Sequence, residues 1–305
     1  MRILITGGAG FIASHIQDAY LQAGHTVAVL DNLASGNKGN LASATKFYEK
    51  DLRNPEVDRV LEEFRPEVIS HHAAQMDVRR SVAEPIYDCE VNGIGTLNLL
   101  EAARKHGVKK VVFASSGGAI YGEQIAYPAD ESHPTQPASP YGITKLLGEK
   151  YLHFYQETYG IDSVALRYAN VYGPRQNPHG EAGVVAIFVT KLLKGETPVI
   201  NGDGLQTRDY VFVEDVVQAN LAALRPGVRG IYNVGTGIET NVVEIYQNLA
   251  AAVGLQAPAQ HGPAKAGEQR RSVISYGKIQ KELGWSPKFS LADGLKKTVE
   301  YFRSR

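Results

Sequence analysis

The stretch MRILITGGAGFIASH, residues 1–15, decides how the rest of the chain is read. Residues 2–6 (RILIT) form a short apolar run rich in β-branched side chains, the composition of a buried strand. Gly7-Gly8-Ala9-Gly10 follows without a gap, and Phe11 opens a segment (11–23) with apolar residues at helical spacing. A second strand-like run, TVAVLD, occupies 26–31. Strand, glycine turn, helix and strand within about 30 residues is the size of one βαβ unit. Gly7 permits the tight turn, and Gly10 lets the backbone approach a pyrophosphate. The helix start at Phe11 and Ile12 offers free N–H groups and a positive dipole end. Turns alone account for many glycine clusters. Here the strand–turn–helix context is met, and Asp31 closes the second strand where a carboxylate receives the adenosine ribose hydroxyls. An acid there repels a 2′-phosphate, so the expected cofactor is NAD rather than NADP. Ala13 replaces the usual third glycine, whose task is helix–strand packing, and one methyl is expected to be tolerated.

Outward from this unit the alternation continues. Strands are expected at 46–49, 67–71, 110–114 and 162–167, with helices at 56–64, 92–106 and 140–159. Strands alternating with helices give a parallel sheet covered on both faces, an α/β doubly wound (Rossmann) fold. After residue 167 the composition changes. Residues 172–183 (YGPRQNPHGEAG) read as an ordered loop, and helices are expected at 184–193, 213–224, 241–253, 275–283 and 291–302. Short strands lie around Gly202 and Gly204, and another at 230–234. The expected organisation is an NAD-binding unit over 1–170, rejoined by 212–235, and a smaller mixed α/β substrate lobe over 171–305.

The bulk composition excludes several classes. The 305 residues carry 32 basic and 32 acidic side chains, so no general basic field exists for nucleic acid or anionic lipid. No run approaches the ~18 apolar residues of a membrane span, and the first strand begins too early for a leader, so a cytoplasmic location is expected. The single cysteine, Cys89, rules out an internal disulfide and reads as a packing residue. No metal is expected: His71 and His72 are adjacent on a strand and face opposite ways, and HExxH spacing is absent. These histidines read as cofactor-lining or solvent-facing. The G-x-S-x-G turn of hydrolases is absent too.

The catalytic candidates lie in SPYGITK, residues 139–145. Tyr141 and Lys145 are four apart on one helix face. A phenol with a pKa of ~10 is a poor base at neutral pH; a neighbouring ammonium and the positive nicotinamide ring both favour the phenolate. Such a phenolate takes a hydroxyl proton as hydride leaves the same carbon. A third hydroxyl is expected at the end of the 110–114 strand, from Ser116 in preference to Ser115, although serines at a strand end are also common turn formers.

Several long segments then carry a resemblance: TGGAGFIASH (6–15), DNL (31–33), HHAAQ (71–75), FASSGGAIYGE (113–123), SPYGITK, LRYANVYGPRQNPHGEAGVVAIF (166–188), GDGLQTRDYVFVEDV (202–216) and YNVGTG (232–237). They resemble the extended short-chain dehydrogenase/reductases almost end to end, and most closely the UDP-glucose 4-epimerases of bacteria and archaea. The resemblance implies roles position by position. Asp31 and Asn32 would contact the adenosine ribose, and Asp51 with Leu52 the adenine. His72, Ala73 and Ala74 would line the NAD path, with Asn92 nearby and Ser115 beside the cofactor. Tyr141 would be the base, Lys145 would also hold the nicotinamide ribose, and Tyr168 would close over the nicotinamide. Asn170 would reach a substrate phosphate or sugar, and Arg208 would pair with the UDP diphosphate. In KAGEQRRS (265–272), Lys265 and Glu268 would hold the diphosphate and uridine ribose, and Ser272 would sit where the family gates the 2-substituent.

Two departures from the pattern matter. Counting back from Tyr121, the hydroxyl position of one epimerase type falls on Gly117, whereas the GGAIYG type places it one step earlier, on Ser116. The acid pair of the dehydratases falls on Gly118 and Ala119, so acid-assisted water loss lacks its residues. The implied reaction is 4-epimerisation of a UDP-hexose through a 4-keto sugar, with NAD retained between turnovers. Epimerases of UDP-N-acetylhexosamine or UDP-glucuronate are the rival reading, since Ser272 leaves room for an acetamido group. A non-catalytic NAD-sensing member of the superfamily is the reading from another class. Apolar residues on more than one face of the 140–159 helix, with the family's habit of pairing helices there, make a homodimer the expected assembly.

Overall fold

The computed structural model describes residues 1–178, 183–255, 258–264 and 269–305. The first half runs β1 (Arg2–Thr6), α1 (Phe11–Gln22), β2 (Thr26–Asp31), β3 (Lys46–Glu49), α2 (Val57–Phe64), β4 (Val68–His71), α3 (Val78–Ala83), α4 (Pro85–Cys89), α5 (Gly95–Lys105), β5 (Lys110–Ser116), α6 (Gly117–Ile120), α7 (Pro140–Tyr159) and β6 (Asp162–Tyr168). The second half runs β7 (Asn170–Tyr172), α8 (Val184–Leu193), β8 (Val199–Asn201), β9 (Thr207–Phe212), α9 (Val213–Ala223), β10 (Gly230–Val234), β11 (Glu239–Asn241), α10 (Val242–Val253), β12 (Gln260–Gly262), β13 (Arg271–Ser272), α11 (Gly277–Leu283) and α12 (Leu291–Arg303).

The main sheet has seven strands in the order β10-β6-β5-β4-β1-β2-β3, all parallel. This is the doubly wound fold that the alternation implied. Its strands are buried on both faces, as Ile3, Leu4 and Ile5 of β1 show. One face is covered by α1, α9 and α11, the other by α2, α5 and α7. Strand order reverses between β1 and β4, the switch point where ligands bind in such sheets. α9 packs beside α1, and β10 extends the sheet next to β6.

A smaller sheet, β11-β9-β13 with β7 also on β9, packs with α8, α10 and α12 around Phe188, Phe212, Tyr246 and Leu295. The segment carrying α11 lies in the expected substrate lobe by sequence. Its Ile279 and Leu283, with Trp285 just beyond, pack instead into the large core, and the Trp285 indole donates to the Asp215 carbonyl at 2.9 Å.

Several elements depart from the sequence reading. The expected helix at 92–106 begins instead in a π-helical turn, Glu90–Ile94, before α5. β5 continues through both serines, and part of the loop at 172–183 is preceded by strand β7. The helices α3, α4 and α6 are too short to carry a 3.6-residue period. Cys89 is exposed at the end of α4, not packed. His71 is buried, neither cofactor-lining nor solvent-facing by its ring: it bonds Thr6 Oγ1 at 2.7 Å and Thr96 Oγ1 at 2.9 Å. Among the described residues no helix is long and apolar enough to cross a membrane, and no cluster of three metal-ligating side chains occurs.

Candidate active site

At the switch point, Gly10 precedes α1 with extended backbone and no side-chain cap, which leaves the first amides of α1 open. Gly7 takes φ +70°, and a Cβ there would lie 2.7 Å from the Ala73 nitrogen. The glycine turn therefore presses directly on the end of β4. The Thr6 hydroxyl fastens that contact, accepting from the amides of His72 and Ala73 at 3.2 Å each. Ala74 continues the half-buried wall. At the end of β2, Asp31 accepts from the Ala9 amide at 3.0 Å and the Leu33 amide at 2.7 Å, and burial raises its pKa. Asn32 donates to Asp51 at 2.8 Å, while Arg53 holds the Asp51 carboxyl well below its usual range. Leu52 is buried beneath Gly95 of α5. The four positions expected around adenosine are thus gathered at one end of the sheet.

This cradle fits a dinucleotide: an open helix N-terminus, a turn with no room for a Cβ, and a carboxylate at the end of the adjacent strand. Gly7→Ala is expected to cost about 1–2 kcal/mol for the left-handed backbone alone, and to displace the loop at Ala73. Purified protein is then expected to lose its bound NAD, read from absorbance after denaturation. Wild-type NAD content in this variant would count against the cradle.

Two glycines seat α7, the helix that carries Tyr141 and Lys145. Ser139 caps α7 by accepting from the Gly142 amide at 3.2 Å, with Pro140 in the first turn. A Cβ at Gly142 would lie 2.6 Å from the Ala119 carbonyl, and one at Gly148 2.7 Å from the Phe113 ring. α7 therefore lies tight against α6 and β5. That approach lets the buried Lys145 ammonium donate to the Ala114 carbonyl at 2.9 Å, 5.7 Å from the centre of the Tyr141 ring. Burial lowers the Lys145 pKa to about 8, with Asp88 opposing. Tyr141 is half-buried, as is Ser116 at the end of β5.

The neighbouring serine is committed elsewhere. Ser115 Oγ donates to Glu149 of α7 at 2.6 Å, so its one proton is committed to that carboxylate. Gly117 has no room for a side chain, since a Cβ would meet Ile274 Cδ1 at 2.6 Å. Gly118 does have room, its virtual Cβ being 3.6 Å from Asn170 Oδ1, but it carries no acid. Tyr168 is buried and stacks on His72 with ring centres 6.3 Å apart, its hydroxyl paired with Asn220. Burial and Lys145 push His72 to about 3, which keeps that imidazole neutral. Asn92 is buried in the π-helical turn. It bonds the backbone of Gln75 on both sides, and also Asp88 and Thr144, fixing the 72–75 wall to α7.

The small sheet supplies the opposite wall. β7 places the exposed Asn170 near Gly118, and β13 pairs Ser272 with Arg208 on β9. Ser272 is buried, and Arg208 donates to the Thr207 carbonyl at 2.7 Å. Lys265 and Glu268 lie outside the described residues. Just beyond them, Gln269 donates to the Gly122 carbonyl at 2.6 Å, and Val273 donates to Gln124 Oε1 at 3.0 Å. Sequence reading missed the buried Asp209, which accepts from Thr236, Gly237 and Ile274 and so gathers three segments behind Arg208. It missed Asp88, Glu149 and Arg167 as well; no spacing rule marks them.

Residues 3–235 match the NAD dependent epimerase/dehydratase family, and the chain belongs to that family. A UDP-glucose 4-epimerase of Mycolicibacterium smegmatis is 49% identical over 100% of this chain and 99% of its own. Two solved structures are similar throughout. The UDP-glucose 4-epimerase of Thermotoga maritima with UDP-glucose has 48% identity and a TM-score of 0.98, covering 100% of this chain and 99% of that one. The Thermus thermophilus UDP-glucose 4-epimerase in complex with NAD has 49% identity and a TM-score of 0.95, covering 99% of each chain.

Proposed function

We propose that the protein is an enzyme that interconverts UDP-glucose and UDP-galactose by NAD-dependent 4-epimerisation through a 4-keto sugar. The observation that carries the reading is the buried Lys145 ammonium held beside Tyr141 at the end of β5, where Ser116 lies. When bound, NAD supplies the hydride acceptor and donor for C4. Tyr141 takes the proton of the 4-hydroxyl and later returns it, and the Lys145 charge keeps its phenolate accessible at neutral pH. Ser116 hydrogen-bonds the reacting oxygen. Asp31, Asn32, Asp51 and Leu52 hold the adenosine end of the cofactor, and Arg208, with Lys265 and Glu268, holds the UDP moiety. Firm UDP contacts beside a loosely held hexose let the keto sugar turn its other face. The unit over 1–170 with 212–235 binds NAD, and the rest of 171–305, apart from the α11 segment, closes over the substrate.

The test is incubation of purified protein with UDP-glucose, or UDP-galactose, without added NAD, followed by product separation. Interconversion is expected; inert mixtures after reloading with NAD would remove the proposal.

The small, buried Ser272 favours acceptance of N-acetylated UDP-hexoses too. Ser272→Tyr is expected to lower UDP-N-acetylglucosamine turnover at least tenfold while UDP-glucose turnover stays within about threefold, as expected for steric exclusion. Equal losses on both sugars would detach Ser272 from the 2-substituent.

A homodimer is favoured by the exposed Val82, Ile86, Ile143 and Phe154 on α3, α4 and α7. Sedimentation is expected to read two chains, and Ile86→Asp one. NAD dependence and a lone free cysteine suit a cytoplasmic location.

A further inference from the structure

A second polar assembly lies behind the site, joining α7, the end of β5 and the strand after Ser272. β5, β6 and β10 run in register, so Ser115, Arg167 and Asn233 form one row across three strands. The next row holds Ser116, Tyr168 and Val234, with side chains on the opposite face. Ser115 and Arg167 of the first row meet at Glu149, which is four residues beyond Lys145 and eight beyond Tyr141 on the same side of α7. Its carboxylate accepts from Ser115 Oγ at 2.6 Å, Arg167 Nε at 2.9 Å and Arg167 Nη2 at 2.7 Å. Arg167 Nη1 donates to the Tyr121 hydroxyl at 2.9 Å, which donates to Asn233 Oδ1 at 2.7 Å.

From Asn233 the chain of bonds continues without a break. Its Nδ2 donates to the Ala129 carbonyl at 3.1 Å. Ala129 pairs with the strand after Ser272, donating to Val273 O at 3.0 Å and accepting from Ser275 N at 2.8 Å. One buried network therefore touches the helix bearing Tyr141 and Lys145, the residue before Ser116, and the residue after Ser272.

A buried ion pair is often no better for stability than apolar residues of the same volume, because desolvation offsets the attraction. Burial works against the Arg167 charge, yet Glu149 holds that guanidinium above its ordinary range. What a bidentate fork adds is direction, since two parallel N–H···O bonds fix both partners laterally as well as in distance.

We propose that Glu149, Arg167 and Tyr121 form a positioning unit that holds the Ser116 end of β5 and the strand at 272–274 in alignment with Tyr141 and Lys145. The inference rests on the Tyr141–Lys145–Ser116 site proposed above. These residues touch neither substrate nor cofactor; they act through the backbone they pin.

The experiment uses Ser115→Ala and Tyr121→Phe, each removing one oxygen, their double variant, and Tyr141→Phe in parallel on NAD-loaded protein. Displacing reacting groups by a fraction of an ångström lowers kcat without touching the binding contacts, so each single change is expected to lower kcat per bound NAD about tenfold with KM within about twofold. The double variant is expected to lose little more than the worse single, because both act on one unit. A lowered thermal midpoint with unchanged kcat and KM in both variants means a structural role only and overturns the proposal. So does raised KM at constant kcat. If Tyr121→Phe does not fold, Ser115→Ala decides on the same two readouts. Full turnover in Tyr141→Phe would instead remove the underlying site, whereas an inactive Tyr141→Phe with unaffected Ser115→Ala and Tyr121→Phe removes this inference alone.

Discussion

Tyr141→Phe is expected to lower kcat for UDP-glucose by about 10³-fold, the scale of a lost general base, while KM stays within about threefold. Only the hydroxyl is removed. The ring of Tyr141 is half-buried in the first turn of α7, and the turn is fixed by Ser139 and by the close approach of Gly142 to Ala119. The phenylalanine variant therefore keeps the packing, and its NAD content and thermal midpoint are expected to match wild type. Progress curves from both sugar directions, normalised to bound NAD, supply the measurement. Loss of turnover with retained cofactor places the effect on proton transfer rather than on assembly. It also separates an enzyme from a protein that only senses NAD, for which the change would alter nothing measurable in turnover. A kcat within tenfold of wild type would transfer the base role away from Tyr141.

Much of this site was legible because it follows local rules. β1 reads as a strand since both its faces are buried, and the Gly7 turn declares itself through a backbone that only glycine adopts easily. The bounds of α7 are written in Ser139, Pro140 and the left-handed Gly160 at φ +69°. The choice between Ser115 and Ser116 was only half legible. Adjacent strand residues face opposite sides, but nothing local says which side holds the helix. Glu149 determines where the Ser115 hydroxyl points. Likewise Gly117 reads as a departure from a motif until Ile274, 157 positions away in sequence, occupies the space its side chain would need. The two-residue β13 exists because it lies on β9, and so short a strand carries no pattern of its own. Arg167 and Glu149 are an ordinary strand arginine and an ordinary helix glutamate until sheet register brings them together.

Lys145→Met is expected to move activity and stability in opposite directions. A tyrosine with an unperturbed pKa of ~10 is only about 0.1% phenolate at pH 7. Without the ammonium, turnover at neutral pH is therefore expected to fall by about 10³-fold and then to climb about tenfold per pH unit toward pH 10. Wild type, whose phenolate is supported by the charge, is expected to lack that slope over the same range. Stability follows from the same burial. The Lys145 pKa falls from 10.5 to about 8 in the folded chain. Below about pH 8 both folded and unfolded chains carry the proton, and the folded state bears the full cost of a buried ammonium. Between about pH 8 and 10.5 the folded chain releases the proton while the unfolded chain keeps it, so wild-type stability rises with pH through that window. At ~1.4 kcal/mol per pKa unit the cost is about 3 kcal/mol. NAD-free Lys145→Met is thus expected to be more stable than NAD-free wild type by about 3 kcal/mol at pH 7, with the gap closing by about pH 10.5. Urea unfolding of both proteins across pH 6–11 measures it. A gap that is absent at pH 7, or that widens with rising pH, would mean that burial does not depress the Lys145 pKa in the folded chain.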